Sequence, residues 1–334
     1  MRLTMSKKPK ILVVGSFIMD LVAMADRAPA MGESVIGHSF RTAPGGKGAN
    51  QAVQAARLGV ETHMAGCVGD DAHGREMLQA LQASGVDTRH VKISHEHSSG
   101  VGHIQIQTGA GGVQNRIIVV PGANFDLKPS DLEWLKDEIG SYDIVIMQLE
   151  LEIPTIEYVA RVAKDASVPV MLNTAPAAPL SDELLSCVTF ISPNETEASF
   201  LTGVKTDANG RLSGPALKEA AAVLMAKGVP NVIITLGDDG AVLCTSDGMQ
   251  HKPCVKMTEV KDPTAAGDSF VGAFCAGYAS GFTTDEALTL AVHAAALTVC
   301  GLGAIPSLPT RERVIALAQD RGCKELTDKL TRMK

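Results

Sequence analysis

Nine consecutive residues, Asp262-Pro263-Thr264-Ala265-Ala266-Gly267-Asp268-Ser269-Phe270, set two carboxylates around a run of small side chains where an apolar, helix-patterned segment begins. Ala265, Ala266 and Gly267 leave the first backbone amides of that helix open, and the positive end of its dipole adds to them, so the terminus is an anion hole. Phosphoryl oxygens suit it because small side chains let them reach the backbone. Asp268 falls in the first turn, where a carboxylate stays ionised and can take the proton of an attacking hydroxyl. Plain helix capping by Asp262 and Asp268 explains this segment taken alone; the company it keeps favours chemistry.

Upstream, Gly45-Gly46-Lys47-Gly48-Ala49-Asn50-Gln51 leads into a helix closed by Leu58-Gly59. Its glycines bring the backbone close to a polar ligand gripped by the main chain, Lys47 and Asn50. The spacing matches neither a Walker loop nor the dinucleotide fingerprint. Asn194-Glu195-Thr196-Glu197 has capping-box spacing; beside transferring phosphates, a carboxylate here can also hold magnesium through water. Thr235-Leu236-Gly237-Asp238-Asp239-Gly240 closes a strand at the end where open α/β sheets bind ligands, and it serves equally as a turn into 241–244. His95, His97 and His103 lack the spacing of a metal site and read as solvated loop and strand histidines.

These segments need a scaffold. Apolar runs at 11–14, 143–149, 168–172, 188–191 and 231–236 show little alternation, and helical patterns such as 153–163 and 214–227 lie between them. That rhythm predicts a mostly parallel sheet covered on both faces. Segments 34–43 and 100–120 read instead as hairpins, the second with strands 101–107 and 116–120 around a Gly-rich turn at 109–112. Together they predict a small antiparallel lid. The 334 residues suit one large α/β domain with this appendage.

A net charge of -7, with no long Lys/Arg run after Lys10, argues against nucleic acid or an anionic membrane surface as partner. Seven scattered cysteines without a C-x-x-C pair signal neither a disulfide framework nor zinc, and point to a reducing, cytoplasmic setting. Lys7 to Lys10, the apolar run from Ile11 and Ala23-Met24-Ala25 imitate a signal peptide, but Gly15, Ser16 and Asp20 interrupt the run, so a core strand and turn are expected. No stretch approaches a membrane span.

In order and spacing, the segments 45–51, 173–177, 193–198, 235–240 and 262–270 resemble the ribokinase-like (PfkB) carbohydrate kinases, and ribokinases among them, over roughly residues 10–309. The resemblance implies an α/β ribokinase-like three-layer sandwich, with a mostly parallel central sheet and a small antiparallel β-sheet lid. The kinase domain would cover 10–310, with the lid at about 20–44 and 98–121, and 311–334 would be a C-terminal helical extension of the same domain. It further implies a homodimer through the lid, and transfer of the ATP γ-phosphate to the 5-hydroxyl of a pentose, D-ribose giving ribose 5-phosphate. Asp268 would be the base and Ala265, Ala266 and Gly267 the anion hole. Asp20, Gly46, Lys47, Asn50 and Glu150 would bind the sugar. Asn194, Thr235, Gly237, Gly240 and Gly267 would contact the nucleotide, with His293 near the adenine and Glu197 serving magnesium. A potassium ion would lie among Asp262, Thr264, Thr298, Gly301, Gly303 and Ser307, bound mostly through backbone oxygen.

The chain departs from the family pattern at three places. Ile18 stands where ribokinases commonly set an Asn against the sugar, and an apolar group leaves a hydroxyl unpaired at a cost of about 1–3 kcal/mol. Deoxyribokinases carry an apolar residue there, so 2-deoxyribose is the rival substrate; Gly102 and His103 in the lid also differ from the usual pair. Pro263 replaces a Thr, and Gly301-Leu302 lacks the usual basic residues. Another sugar or nucleoside kinase of the family, a sugar-binding regulator without catalysis and a dinucleotide dehydrogenase are the remaining readings. The intact Asp268, Glu197 and anion hole speak against the regulator, and the missing fingerprint against the dehydrogenase.

Overall fold

Fully buried Ile11, Leu12, Val13 and Val14 form the middle of a strand with both faces covered: Ile11 and Val13 pack into one hydrophobic cluster, Leu12 and Val14 into another. The computed structural model describes residues 8–108 and 114–333. The turn expected at 109–112 lies outside the described residues. Among the described residues there are thirteen strands: β1 Lys10–Val14, β2 Ile18–Ala25, β3 Ser39–Gly45, β4 Glu61–Gly69, β5 Val86–Ser94, β6 Gly100–Gln107, β7 Gln114–Val120, β8 Ile144–Met147, β9 Val170–Asn173, β10 Phe190–Ser192, β11 Asn231–Thr235, β12 Ala241–Thr245 and β13 Gly248–Lys252. The helices are α1 Lys47–Arg57, α2 Ala72–Ala83, α3 Leu135–Glu138, α4 Ile153–Asp165, α5 Asp182–Leu185, α6 Glu195–Thr202, α7 Gly214–Ala226, α8 Ala266–Ala279, α9 Thr284–Thr298, α10 Arg311–Asp320 and α11 Lys324–Arg332.

The large sheet runs β13-β12-β11-β10-β9-β8-β1-β4-β5. It is parallel from β11 to β5, with β12 and β13 added antiparallel at one edge. The strand order reverses at β1, between β8 and β4, and open α/β sheets bind ligands beyond the carboxyl ends of the strands at such a point. Gly15-Ser16 after β1, Gln148-Glu150 after β8, Asn194 after β10 and Gly237 after β11 all leave the sheet at those ends. On α10 and α11, Val314, Leu317, Leu326 and Leu330 join the same cluster as Ile11.

The small sheet has the order β3-β2-β6-β7. Its outer pairings, β2–β3 and β6–β7, are antiparallel, while the central β2–β6 pair is parallel because the two strands enter from separate insertions. Ile117, Ile118, Val119 and Val120 of β7 and Phe40 of β3 are exposed. All seven cysteines are free. Among the described residues no helix is long and apolar enough to cross a membrane.

Candidate active site

Helix α8 begins as its sequence requires, after an N-cap, Ala265, that has no side chain to cap it. Ala265 has φ 62°, the left-handed region, a conformation that costs a non-glycine residue about 1–2 kcal/mol and concentrates at functional sites. A Cβ on Gly267 would meet no atom within 4 Å, so the terminus has room for a ligand. Asp268 is 7% exposed. Its Oδ2 accepts from Asn50 Nδ2 at 2.9 Å and its Oδ1 from Gln51 Nε2 at 3.0 Å. Both donors come from α1, which α8 approaches closely: a Cβ on Gly272 would stand 2.6 Å from the Gln51 carbonyl oxygen.

The entry to α1 is built on glycine for steric reasons. Gly46 has φ 98°, and a Cβ there would lie 2.6 Å from the Ile18 nitrogen. Glu150 Oε2 accepts from the Lys47 backbone N–H at 3.1 Å and from Ser16 Oγ at 2.5 Å, while Ser16 Oγ accepts from the Gly48 N–H at 3.3 Å. Burial alone favours a neutral Lys47 amine, but Asp268, Glu150 and Glu197 outweigh it and raise its pKa, so the cation persists in the pocket. Asp20 is pushed up to about 6, first by burial and then by the like charges of Glu150, Asp262 and Asp268, against the opposing pull of Arg41 on β3. Asn50 Oδ1 is buried without a hydrogen-bond donor. Ile18, 5% exposed, shares the Gly102 side of Asp20: its Cγ2 would stand 3.4 Å from a Cβ on Gly102. Gly102 explains itself here: a Cβ would stand 2.7 Å from Asp20 Oδ1.

On the other side of Asp268 lies a groove of about 380 Å³, lined by Thr235, Gly237, Gly240, Ala266, Gly267 and Val292 among others. Gly240, φ 95°, passes so close to β13 that a Cβ would fall 2.1 Å from the Lys252 oxygen. Asn194 and Glu197 form a reciprocal capping box on α6: the Glu197 N–H donates to Asn194 Oδ1 at 2.8 Å, and Asn194 N–H donates to Glu197 Oε2 at 3.0 Å. Thr174 Oγ1 and Asn194 Nδ2 also donate to Glu197. His293 does not line the groove; its Nδ1 lies 2.7 Å from the Thr289 oxygen, its Nε2 is buried without a partner, and burial lowers its pKa.

Beyond α9, Asp262 accepts from the Thr264 and Gly303 N–H groups, each at 2.9 Å. Burial opposes ionisation of Asp262, but these bonds and Arg41 prevail and lower its pKa. Thr298 Oγ1 lies 2.8 Å from Ser269 Oγ and 3.0 Å from Ala294 O, with one proton for the two, and Ser307 Oγ donates to Ala304 O. Arg57 Nη1 donates to the Ile305 and Leu308 oxygens at 2.7 Å each, clamping this loop.

Of the sequence-predicted residues, Asp20, Lys47, Asn50 and Glu150 lie together beside Asp268, and Thr235, Gly237, Gly240, Ala266 and Gly267 line the groove, whereas Asn194, Glu197, His293 and the residues around Asp262 do not line it. Sequence reasoning left out Ser16, Arg41 and Gln148, and quoted Gln51 without a role. Gln148 carried a signal, a polar amide in the apolar run before Leu149 that must find a partner when buried. His97 Nδ1 meets Asp126 at 2.8 Å with Glu96 alongside, a grouping that the histidine spacing did not suggest.

Residues 8–311 match the pfkB family carbohydrate kinase model. The chain is 39% identical to a ribokinase of Bacillus subtilis (strain 168), over 91% of this chain and 97% of that one. It is 34% identical to a deoxyribokinase of Salmonella typhi, over 91% and 96% respectively. The Arabidopsis thaliana ribokinase solved with ribose and ATP superposes with a TM-score of 0.85 at 34% identity, covering 93% of this chain and 98% of that one. A phosphate-ready helix terminus, a buried carboxylate beside it and sequence likeness over nine-tenths of the chain agree: this chain belongs to the pfkB family of carbohydrate kinases.

Proposed function

We propose that the chain transfers the γ-phosphoryl group of ATP to the 5-hydroxyl of a pentose, with D-ribose as substrate. The observation that carries this reading is the place of Asp268, in the first turn of α8 at the edge of the groove yet held by Asn50 and Gln51 from the sugar side. Asp20, Gly46, Lys47, Asn50 and Glu150 seat the sugar, and the unpaired Asn50 Oδ1 supplies an acceptor for one of its hydroxyls. Asp268 takes the proton of the attacking hydroxyl, and the amides at Ala265, Ala266 and Gly267 stabilise charge on the transferring group. The lid closes over the sugar and excludes water, which disfavours hydrolysis of ATP.

Glu197 is already engaged in three hydrogen bonds, so it fits magnesium held through water, and magnesium so bound neutralises phosphate charge. Asn194, Thr235, Gly237 and Gly240 contact the nucleotide, with His293 behind the adenine slot. Potassium fits the loop of Asp262, Thr264, Thr298, Gly301, Gly303 and Ser307, held mostly through backbone oxygen. The exposed apolar face of β7 supports a homodimer through the lid, and the seven free cysteines support a cytoplasmic enzyme.

Ile18 favours a second reading, 2-deoxyribose as the substrate, because an apolar wall offers a 2-hydroxyl nothing to bond. ATP consumption with ribose and 2-deoxyribose, in wild type and Ile18→Asn, decides between them. Faster turnover of 2-deoxyribose, reversed roughly tenfold or more by the substitution, would replace ribose as the substrate. Asp268→Asn is expected to lower kcat by roughly 10²–10⁴ with sugar binding kept; near-normal turnover would remove the base assignment.

A further inference from the structure

A carboxylate accepts hydrogen bonds and donates none. The side chain of Gln51, fully buried on α1, therefore turns its amide nitrogen to Asp268, Nε2 to Oδ1 at 3.0 Å. The same nitrogen lies 3.5 Å from Asn173 Oδ1, whose own amide donates to the Ser192 oxygen. Gln51 Oε1 is thus left facing away, where it accepts from Gln148 Nε2 at 2.7 Å. Gln148, also fully buried, consequently turns its Oε1 toward Gly15, and that oxygen has no donor. A Cβ on Gly15 would stand 2.1 Å from it, so only glycine leaves room for the amide. The chain of amides is matched at the carboxylate and unmatched at its far end, so its polarity is set from Asp268 outward.

We propose that Gln51 and Gln148 form a one-directional amide chain that holds Asp268 as an acceptor aimed at the attacking hydroxyl, with Gln148 acting as a positioning residue for phosphoryl transfer. The inference rests on Asp268 being the base. Other charges acting on Asp268 are Lys47 from α1 and Asp20 from β2; they stay in place in the variants below.

Gln148→Glu keeps the shape but accepts only. It draws Gln51 Nε2 to itself and sets Gln51 Oε1 against Asp268, a pairing satisfied only when Asp268 holds a proton. Gln148→Met removes the donor without reversing the chain. The measurement is the pH profile of kcat for both variants, with KM for ribose and ATP. Gln148→Glu is expected to move the acid limb up by about one pH unit and lower kcat below that limb about tenfold, with both KM values within about twofold. Gln148→Met keeps the wild-type limb. A role in packing alone predicts the reverse order, since Glu fills the space of Gln, and a wild-type limb in Gln148→Glu overturns the proposal. Should Gln148→Glu fail to fold by circular dichroism, Gln51→Met carries the test: it deletes the donor to Asp268, and an unmoved limb overturns the proposal. Asp268→Asn is measured alongside. Full turnover there removes the base and the amide chain together, whereas its loss beside an unmoved limb in Gln148→Glu removes only the chain.

Discussion

Lowering the pH from 7 to 5 should weaken sugar binding about tenfold, because the Asp20 carboxylate is pushed up to about 6 by burial and by its acidic neighbours. If the ionised form is the one that accepts sugar hydroxyls, the apparent Kd divides by the ionised fraction: about twofold weaker at pH 6, about tenfold at pH 5 and almost unchanged at pH 7. Titration calorimetry with ribose and no nucleotide reads this directly. Near pH 6 it should also register release of about half a proton per sugar bound, seen as a buffer-dependent heat. A Kd flat from pH 5 to 7, or proton uptake on binding, would refute the reasoning. The same group has a stability consequence. Asp20 holds its proton more tightly folded than unfolded, so the folded chain binds more protons between pH about 4 and about 6, and stability falls as pH rises through that window. The loss at pH 7 is at most about 3 kcal/mol. Asp20→Asn should therefore raise the urea midpoint at pH 7 while weakening the sugar and abolishing the pH dependence of its Kd.

Ala265→Gly should stabilise the protein by about 0.5–1 kcal/mol, since it removes the left-handed penalty of Ala and returns part of it as unfolded-chain entropy; an unchanged or lower urea midpoint would contradict this. Gly48→Ala should cost about 1–3 kcal/mol and weaken sugar binding, because its Cβ would fall 2.5 Å from the Ser16 nitrogen and drive α1 off the turn after β1, whose Ser16 hydroxyl donates to Glu150. Wild-type stability and affinity together would show that the turn yields freely.

The central strands were legible because burial on both faces writes itself as unbroken apolar runs: β1, β8 and β11 fall within a residue or two of the stretches expected. The run at 168–172 shifts to Val170–Asn173 because Pro169 has no N–H for the ladder, and 188–191 starts late because Val188 closes a turn onto Leu185. β4 and β5 escaped notice. β4 contains His63, Gly66 and Gly69, and Gly66 is there because a Cβ would stand 2.6 Å from the Phe17 ring; β5 is an edge strand with half-exposed positions that break the run. In the site, the start of α8, the glycine loop before α1 and the α6 cap could be read locally, each being a short motif at a helix start. Arg41, Ser16 and Gln148 could not, because their partners Asp262, Glu150 and Gln51 lie 97 to 221 positions away in sequence, and only the fold brings them together.

Asp268, the proposed proton acceptor, rides on α8, yet it is held by two side chains of α1, and Gly272 lets the two helices touch at that point. A lineage seeking a new sugar therefore cannot freely rewrite α1, since each change there also disturbs the rate of transfer. On the proposed mechanism, variation is channelled to walls of the pocket that do not hold Asp268. The departures Ile18 and Gly102 lie on β2 and β6 of the small sheet, where on this reading a change of substrate would leave the grip on Asp268 intact.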